Sequence, residues 1–233
     1  MNLQSFARSR LQSVYNRTVR KFLPTKISVH NGVAVKGAVR LFDIQDCFPE
    51  YEAALISAIR NRVNNSDKVQ VVGGGLGVST VVAARGSGQD GAIVTYEGSR
   101  SQYNLIKNTV NLNLVSRQVN IHHSVVGSFS EYSSDSYGNI GDAEIIGPQK
   151  LPDCDVLVLD CEGAELEILK DMTIRPRAII VESHGMYDSP SSEVENELKK
   201  RSYSVESKEI AEKRFEKVHR KEDVFVISAI QKE

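Results

Sequence analysis

The sequence predicts an α/β fold in which a mainly parallel sheet carries helices on both faces and has an antiparallel last strand. Between residues 69 and 230, apolar strand-like segments alternate with helix-like segments, which is typical of parallel sheets with crossover helices. The four residues at 156–159 are all apolar, as expected of a strand buried on both faces. A helix pattern and a hairpin pattern precede this alternation, so we expect both before the sheet.

The composition is that of an ordinary globular protein. The chain has 233 residues, a formal net charge of −1 and 40% hydrophobic residues, so it can bury a core and has no overall bias toward polyanions. Its three cysteines lack the spacing of zinc ligands, and we expect neither a metal site nor a disulfide framework. No apolar run approaches the roughly 20 residues of a membrane-spanning helix. We therefore expect a cytoplasmic protein.

The amino-terminal segment differs in charge from the rest of the chain. Residues 1–41 contain eight Lys or Arg and no acidic residue, and apolar residues recur at near-helical spacing within 2–22. This pattern predicts a basic amphipathic helix. The helix either packs across the domain or lies on the anionic inner face of a membrane. Valines and isoleucines then alternate around Asn31-Gly32, a pair that is typical of a tight hairpin turn.

We interpret residues 1–48 as an extension made of this helix and hairpin, and residues 49–233 as the domain that carries the function. The predicted strands of the domain are 69–72, 92–96, 119–122, 156–159, 178–181 and 224–230. The predicted helices are 49–64, 78–84, 101–113, 164–172 and 192–201. Residues 127–150 form a polar stretch with no regular pattern, and a stretch of this kind inside a domain often serves as a lid.

The strongest local signal is a glycine-rich segment between the first strand of the sheet and the next helix. Gly73, Gly75 and Gly77 permit a tight turn and let a ligand approach the backbone N–H groups. A dinucleotide-binding motif would need glycine at position 78, which is Val78. The observed G-x-G-x-G spacing is instead the form found in enzymes that bind S-adenosylmethionine. Glu97 ends the next strand, where a carboxylate can accept hydrogen bonds from both hydroxyls of a ribose.

Acidic residues gather directly after the buried strand. Asp160, Glu162 and Glu165 surround a glycine at the edge of the sheet where ligands bind in such folds. They can balance a positively charged cofactor, orient an acceptor hydroxyl or stabilise the start of the next helix. His184 ends the following strand and is either a structural residue or a base for a hydroxyl proton. We predict Asp160, Glu162 and His184 as the catalytic residues.

Residues 69–113 and 155–185 resemble the FkbM type of class I S-adenosylmethionine-dependent methyltransferase. The shared features are the glycine segment, Tyr96-Glu97-Gly98-Ser99, the helix end Asn108–Asn113 and Asp160–Glu165, which is similar to the family's D-x-E-G-x-E block. The resemblance implies a Rossmann-like fold and S-adenosylmethionine as the cofactor. It also implies cofactor contacts from Gly73, Gly75, Gly77, Glu97, Gly98, Ser124 and Val125. The family often has an acidic residue at the start of the glycine segment, where this chain has Val71. We therefore expect Asp160 to contribute to cofactor binding.

We predict an enzyme that transfers a methyl group from S-adenosylmethionine to a hydroxyl of a sugar, a glycan or another small molecule. A lipid-linked glycan would suit the basic amino-terminal segment. Two alternatives stay open. An RNA methyltransferase would bind phosphates with that segment, but no RNA-binding module is recognisable, so a nucleic-acid partner is less favoured. A non-catalytic protein that binds a nucleoside would share the glycine segment but would have no need of the acids at the sheet edge.

Overall fold

The computed structural model describes residues 18–127 and 141–232, and its first part contains the predicted hairpin. Strand β1 (Thr25–His30) pairs antiparallel with β2 (Val33–Arg40). Asn31 and Gly32 between them have φ angles of 47° and 83°, the left-handed conformations that a type I′ turn requires. A third strand, β3 (Cys47–Phe48), was not predicted; it pairs parallel to β1 and completes a separate three-stranded sheet.

Most of the predicted amino-terminal helix falls on residues 2–17, which lie outside the described residues. Its last residues, Arg20–Phe22, form a 3-10 turn. Among the described residues, no helix is long and apolar enough to cross a membrane.

The main sheet has eight strands and confirms the predicted mixed topology. The strands are β4 (Lys68–Val72), β5 (Ala92–Glu97), β6 (Val119–Val126), β7 (Glu144–Ile146), β8 (Val156–Leu159), β9 (Ala178–His184), β10 (Tyr203–Ile210) and β11 (Val224–Gln231). Their order in the sheet is β10-β11-β9-β8-β4-β5-β6-β7. The pairs from β9 to β7 are parallel. The last strand, β11, runs antiparallel to both of its neighbours.

Helices cover both faces of this sheet, as predicted. They are α1 (Ala53–Arg62), α2 (Val78–Ser87), α3 (Arg100–Leu112), α4 (Glu165–Asp171), α5 (Ser191–Lys200) and α6 (Glu216–Glu222). Apolar residues of α1, α2, α3 and the hairpin share one core with Val71, whereas those of α4 and α5 share the other core with Val72. Neighbouring residues of one strand thus point to opposite faces, because side chains alternate along a strand.

Two strands and one α-helix of the described main domain were not predicted, and each gives a weak sequence signal. Strand β10 lies at the edge of the sheet and is largely polar and partly exposed. Helix α6 has no buried residue, so it shows no apolar periodicity. Strand β7 has three residues and lies within the stretch 127–150 that appeared irregular. Residues 128–140 of that stretch, and with them most of the proposed lid, lie outside the described residues.

The strand order determines where a ligand can bind. From β4, the chain builds the sheet outward in one direction through β5 and β6, and then returns to the other side of β4 to add β8 and β9. The connections after β4 and after β8 therefore leave the sheet in opposite directions, which opens a crevice at the carboxyl ends of these two strands.

Candidate functional site

The glycine loop (residues 73–77) crosses the carboxyl end of β4 and leads into α2. Its three predicted ligand-binding residues, Gly73, Gly75 and Gly77, have φ angles of 86°, 51° and 83°, which favour glycine. A Cβ atom at Gly73 would lie only 1.7 Å from the carbonyl oxygen of Asp160. The glycine loop and the loop after β8 are thus packed backbone against backbone, and a side chain at this position would separate them.

Glu97, at the end of β5, is buried and holds the glycine loop in place. Its Oε2 accepts hydrogen bonds from the N–H groups of Gly74 and Gly75 at 3.1 and 3.2 Å, and its Oε1 accepts from Ser99 at 2.8 Å. Burial raises the pKa of Glu97 above its usual value, although these N–H donors oppose the shift. The proposed contact with ribose hydroxyls stays a prediction, and the structure adds that the same carboxylate fixes the loop.

The remaining predicted cofactor residues flank Glu97. The carbonyl oxygen of Gly98 lies 3.0 Å from His123 Nε2 on the neighbouring strand β6. Ser124 is 2% exposed, and its hydroxyl is buried without a hydrogen-bond partner among the described contacts. Val125 is half-buried and pairs with Ile145 of β7. The sheet thus brings Gly98 and Ser124 to the same edge as the glycine loop, and their contacts with a cofactor stay a prediction.

A second cluster lies at the ends of β8 and β9. Glu165, in the first turn of α4, is fully buried. Its Oε1 accepts from the N–H of Cys161 at 3.1 Å and its Oε2 from that of Gly163 at 2.9 Å. The same Oε1 lies 2.8 Å from Nδ1 of His184. Glu165 therefore fixes the loop after β8 and orients His184, although the sequence indicated only a minor role for it.

The other ring nitrogen of His184 faces two more carboxylates. Nε2 lies 3.8 Å from an oxygen of Asp160 and 3.8 Å from an oxygen of Glu182. Burial opposes protonation of His184, but the hydrogen bond to Glu165 and the surrounding carboxylates raise its pKa to about 10. Burial also raises the pKa of Asp160, to about 7, although the charge of His184 opposes this shift. The structure therefore brings together the predicted pair Asp160 and His184, and adds Glu165 and Glu182.

Glu162, the third predicted catalytic residue, lies in the loop between β8 and α4. Its φ is 48°, and it shares no hydrogen bond or ion pair with His184 among the described contacts. Burial is the largest cause that raises the pKa of Asp160 and of Glu97, and the negative charge of Glu162 is a further cause. Glu162 therefore acts on the site through its charge in this structure.

Glu52 is a member of the acidic cluster that was not predicted. It precedes α1, and its backbone N–H donates to Glu212 at 2.9 Å. Burial, followed by the charge of Asp160, raises its pKa to about 8. No sequence signal pointed to this residue, because it lies more than one hundred positions before Asp160 and belongs to no motif.

Comparisons with known proteins support the family resemblance. Residues 142–205 match the sequence model of the methyltransferase FkbM domain, and this segment includes the Asp160–Glu165 block and all of β9. The resemblance inferred from the sequence is thereby confirmed over this part of the chain. No curated protein matches the chain.

Solved structures share the fold at low sequence identity. The complex of aTrm5 with tRNALeu has a TM-score of 0.58 and 12% identity, covering 91% of this chain and 54% of that one. TYW2 from M. jannaschii in complex with AdoMet has a TM-score of 0.52 and 12% identity, covering 89% and 85%. Precorrin-6y C5,15-methyltransferase from Geobacter metallireducens has a TM-score of 0.50 and 15% identity, covering 84% and 93%. The chain spans about half the length of the aTrm5 chain. The predicted Rossmann-like methyltransferase fold is confirmed.

Proposed function

We propose that this chain is a methyltransferase that uses S-adenosylmethionine to methylate a hydroxyl of a sugar, a glycan or another small molecule. The observation that carries the proposal is the backbone contact between Gly73 and Asp160. It joins a glycine loop suited to a nucleoside ligand to a carboxylate suited to a reacting hydroxyl. Both lie at the crevice where the strand order reverses, which is where ligands bind in open α/β sheets.

Several features of the structure fit S-adenosylmethionine as the cofactor. The glycine loop has no side chain at Gly73, and Ser124 offers a buried hydroxyl with no partner among the described contacts. Asp160 and Glu162 provide negative charge beside the loop. We assign cofactor binding to the glycine loop, Glu97, Gly98, Ser124, Val125 and Asp160. When bound, this cofactor supplies a methyl group that is already activated by its attachment to a sulfonium.

The exposed fraction of each side chain indicates which group meets the acceptor. The side chain of Asp160 is 23% exposed, compared with 10% for His184. We therefore propose that a carboxylate oxygen of Asp160 accepts the hydroxyl proton, and that His184 positions Asp160. Glu165 in turn orients His184 through the contact at Nδ1. Because the methyl donor is already activated, orientation by these residues provides much of the acceleration.

The amino-terminal segment provides a way to reach a lipid-linked acceptor. Arg20 forms an ion pair with Asp43 at 2.6 Å, which ties the 3-10 turn Arg20–Phe22 to the loop after β2. This loop carries Phe42 and Ile44, whose exposed fractions are 67% and 94%. We propose that this loop and the basic segment together contact an anionic membrane surface, since exposed apolar side chains beside basic residues favour that interface.

A methyl-transfer assay tests the proposal. The full-length chain is incubated with S-adenosylmethionine carrying a labelled methyl group, and with a lipid-linked glycan fraction, free oligosaccharides or tRNA. We expect S-adenosylhomocysteine and a labelled methyl ether with one of the glycan fractions. Label in tRNA would instead support an RNA methyltransferase, a function favoured by the structural similarity to a tRNA complex. Binding of S-adenosylmethionine without turnover of any acceptor would support a non-catalytic role.

A further inference from the structure

Asp160, Glu182 and His184 place three potential metal ligands around one point. One oxygen of each carboxylate and Nε2 of His184 all lie within 4.8 Å of one another. These residues come from the ends of two neighbouring strands, β8 and β9, and their positions are fixed by the sheet. We infer that Asp160, Glu182 and His184 form a binding site for a divalent first-row transition-metal ion.

The orientation of His184 is an observation that is independent of the acidic character of the cluster. The residue is 8% exposed, and its Nδ1 is held by Glu165 at 2.8 Å. Its Nε2 lies 3.8 Å from both Asp160 and Glu182 and makes no hydrogen bond among the described contacts. Histidines that bind metals are commonly oriented in this way, with one nitrogen held by a carboxylate and the other directed at the ion.

Glu182 also lacks the partner that a buried carboxylate needs. Its Oε2 is buried and has no hydrogen-bond partner among the described residues. Leaving such an oxygen unpaired is costly, whereas a cation would satisfy it. In the metal-free site, protonated His184 is a positive neighbour of Asp160, against the negative charges of Glu165, Glu162 and Glu97. An ion bound at Nε2 would replace that proton, because a histidine that binds a metal is neutral. A divalent cation would therefore relieve both the missing contact and the excess of negative charge.

The distances fit coordination after a small movement. Ligand atoms at about 2.1 Å from an ion lie up to about 4.2 Å from one another. His184 Nε2 is 3.8 Å from an oxygen of Asp160 and from an oxygen of Glu182, which is within this distance. The three ligand atoms all lie within 4.8 Å of one another, only slightly more than about 4.2 Å. Two carboxylates and one imidazole suit ions such as Mn²⁺ and Zn²⁺ better than Mg²⁺ or Ca²⁺, which prefer oxygen ligands alone.

This inference departs from the expectation that the chain has no metal site. That expectation considered cysteine spacing, whereas Asp160 lies more than twenty positions before Glu182 and His184 and meets them only in the folded sheet. The site does not depend on methyl transfer. The role proposed for Asp160 as proton acceptor belongs to the metal-free site, because an ion bound to one carboxylate oxygen lowers the basicity of the other.

Manganese binding tests the inference directly. The full-length chain is freed of metal with a chelator and titrated with Mn²⁺, and binding is followed by calorimetry and by electron paramagnetic resonance. We expect one saturable site whose pulsed resonance spectrum shows coupling to an imidazole nitrogen. Loss of a partner outside the first coordination sphere typically weakens metal binding by about 10–100-fold. Because Glu182 is proposed as a direct ligand, the dissociation constant of E182Q should rise by at least this factor. Binding of S-adenosylmethionine is measured separately, so that failure of the cofactor proposal can be distinguished from failure of the metal-site inference.

The matched control is E206Q, because Glu206 is an exposed carboxylate on β10, away from the cluster. It should bind Mn²⁺ as the wild type does. Absence of a saturable site in the wild-type chain, or a bound ion without nitrogen coupling, would overturn the inference. The nitrogen signal is recorded on the wild type, so this outcome can be read even if E182Q fails to fold. Equal binding by wild type, E182Q and E206Q would also overturn it.

Discussion

Replacing Glu165 with glutamine should destabilise the protein far more than its conservative size suggests. The carboxylate of Glu165 is fully buried and accepts from the N–H groups of Cys161 and Gly163, while its Oε1 also contacts His184. A glutamine side chain has one oxygen and one NH₂ group. In either orientation, the NH₂ group of Glu165→Gln would face a backbone N–H, and His184 would lose the carboxylate that holds its Nδ1.

The expected loss in the free energy of unfolding follows from the buried groups that the substitution leaves unpaired. Breaking a buried ion pair by removing one partner costs about 3–5 kcal/mol. Total stabilities are about 5–15 kcal/mol, so the loss is a large fraction. For a chain of this size, each kcal/mol lowers the melting temperature by about 2–4 °C. We therefore expect Glu165→Gln to melt roughly 6–20 °C below the wild type.

The assay is urea unfolding followed by circular dichroism, with thermal melting as a second measurement. Glu206→Gln is the matched control, because a surface substitution of this kind usually changes stability by less than about 0.5 kcal/mol. A loss in Glu165→Gln of less than about 1 kcal/mol, similar to that of a single neutral hydrogen bond, would refute the reasoning. It would mean that the charge of Glu165 does not hold His184 and the loop after β8.

The remaining predictions concern the glycine loop, the cofactor, the acceptor and the membrane. Gly73→Ala should lose about 1–3 kcal/mol or more in urea unfolding, because its Cβ would collide with Asp160. Gly141→Ala is the control, since Gly141 also has a positive φ but, apart from its chain neighbours, no atom of the described residues lies within 4 Å of its Cβ position. Glu97→Ala should weaken calorimetric binding of S-adenosylmethionine by about 1.5–3 kcal/mol for each hydrogen bond lost, and unchanged affinity with an intact fold would contradict its assignment. Asp160→Asn should lower kcat by about 10²–10⁴-fold, and normal turnover would exclude Asp160 as the proton acceptor. A chain beginning near Lys26 should sediment less than the full chain with anionic vesicles, because each basic residue contributes about 1 kcal/mol; equal sedimentation, or none by either chain, would argue against a membrane role.

The sequence predicted where a candidate residue lies in the fold wherever that residue follows a strand. Asp160 and Glu97 come directly at or after strand ends, and parallel strands bring their carboxyl ends to one edge. The glycine loop has its own signature, because positive φ angles and close backbone approach select glycine. For such residues, the position in the chain determines the position in the fold.

The parts that were not predicted depend on contacts between distant segments. Glu52 joins the cluster only because α1 packs near β9, and nothing in its local sequence indicates this. Glu165 looked like an ordinary acid in the first turn of a helix, a position that the helix dipole already explains. Its role became visible only when β9 placed His184 2.8 Å from it. Edge elements such as β10 were missed because they bury too few apolar residues to produce a hydrophobic pattern in the sequence.

Glu97 and Glu165 carry out the same structural task in the two halves of the site. Each is a buried carboxylate that accepts hydrogen bonds from two N–H groups of a loop after a sheet strand: Glu97 from the glycine loop, and Glu165 from the loop after β8. A carboxylate can hold a loop in this way from inside the fold, because it offers about four acceptor positions. The outer surface of each loop then stays clear for a ligand. Since Gly73 and Asp160 join the two loops by direct backbone contact, displacement of either carboxylate should disturb both cofactor and acceptor binding. The two halves are therefore positioned as one unit, which is the arrangement that transfer between two bound molecules requires.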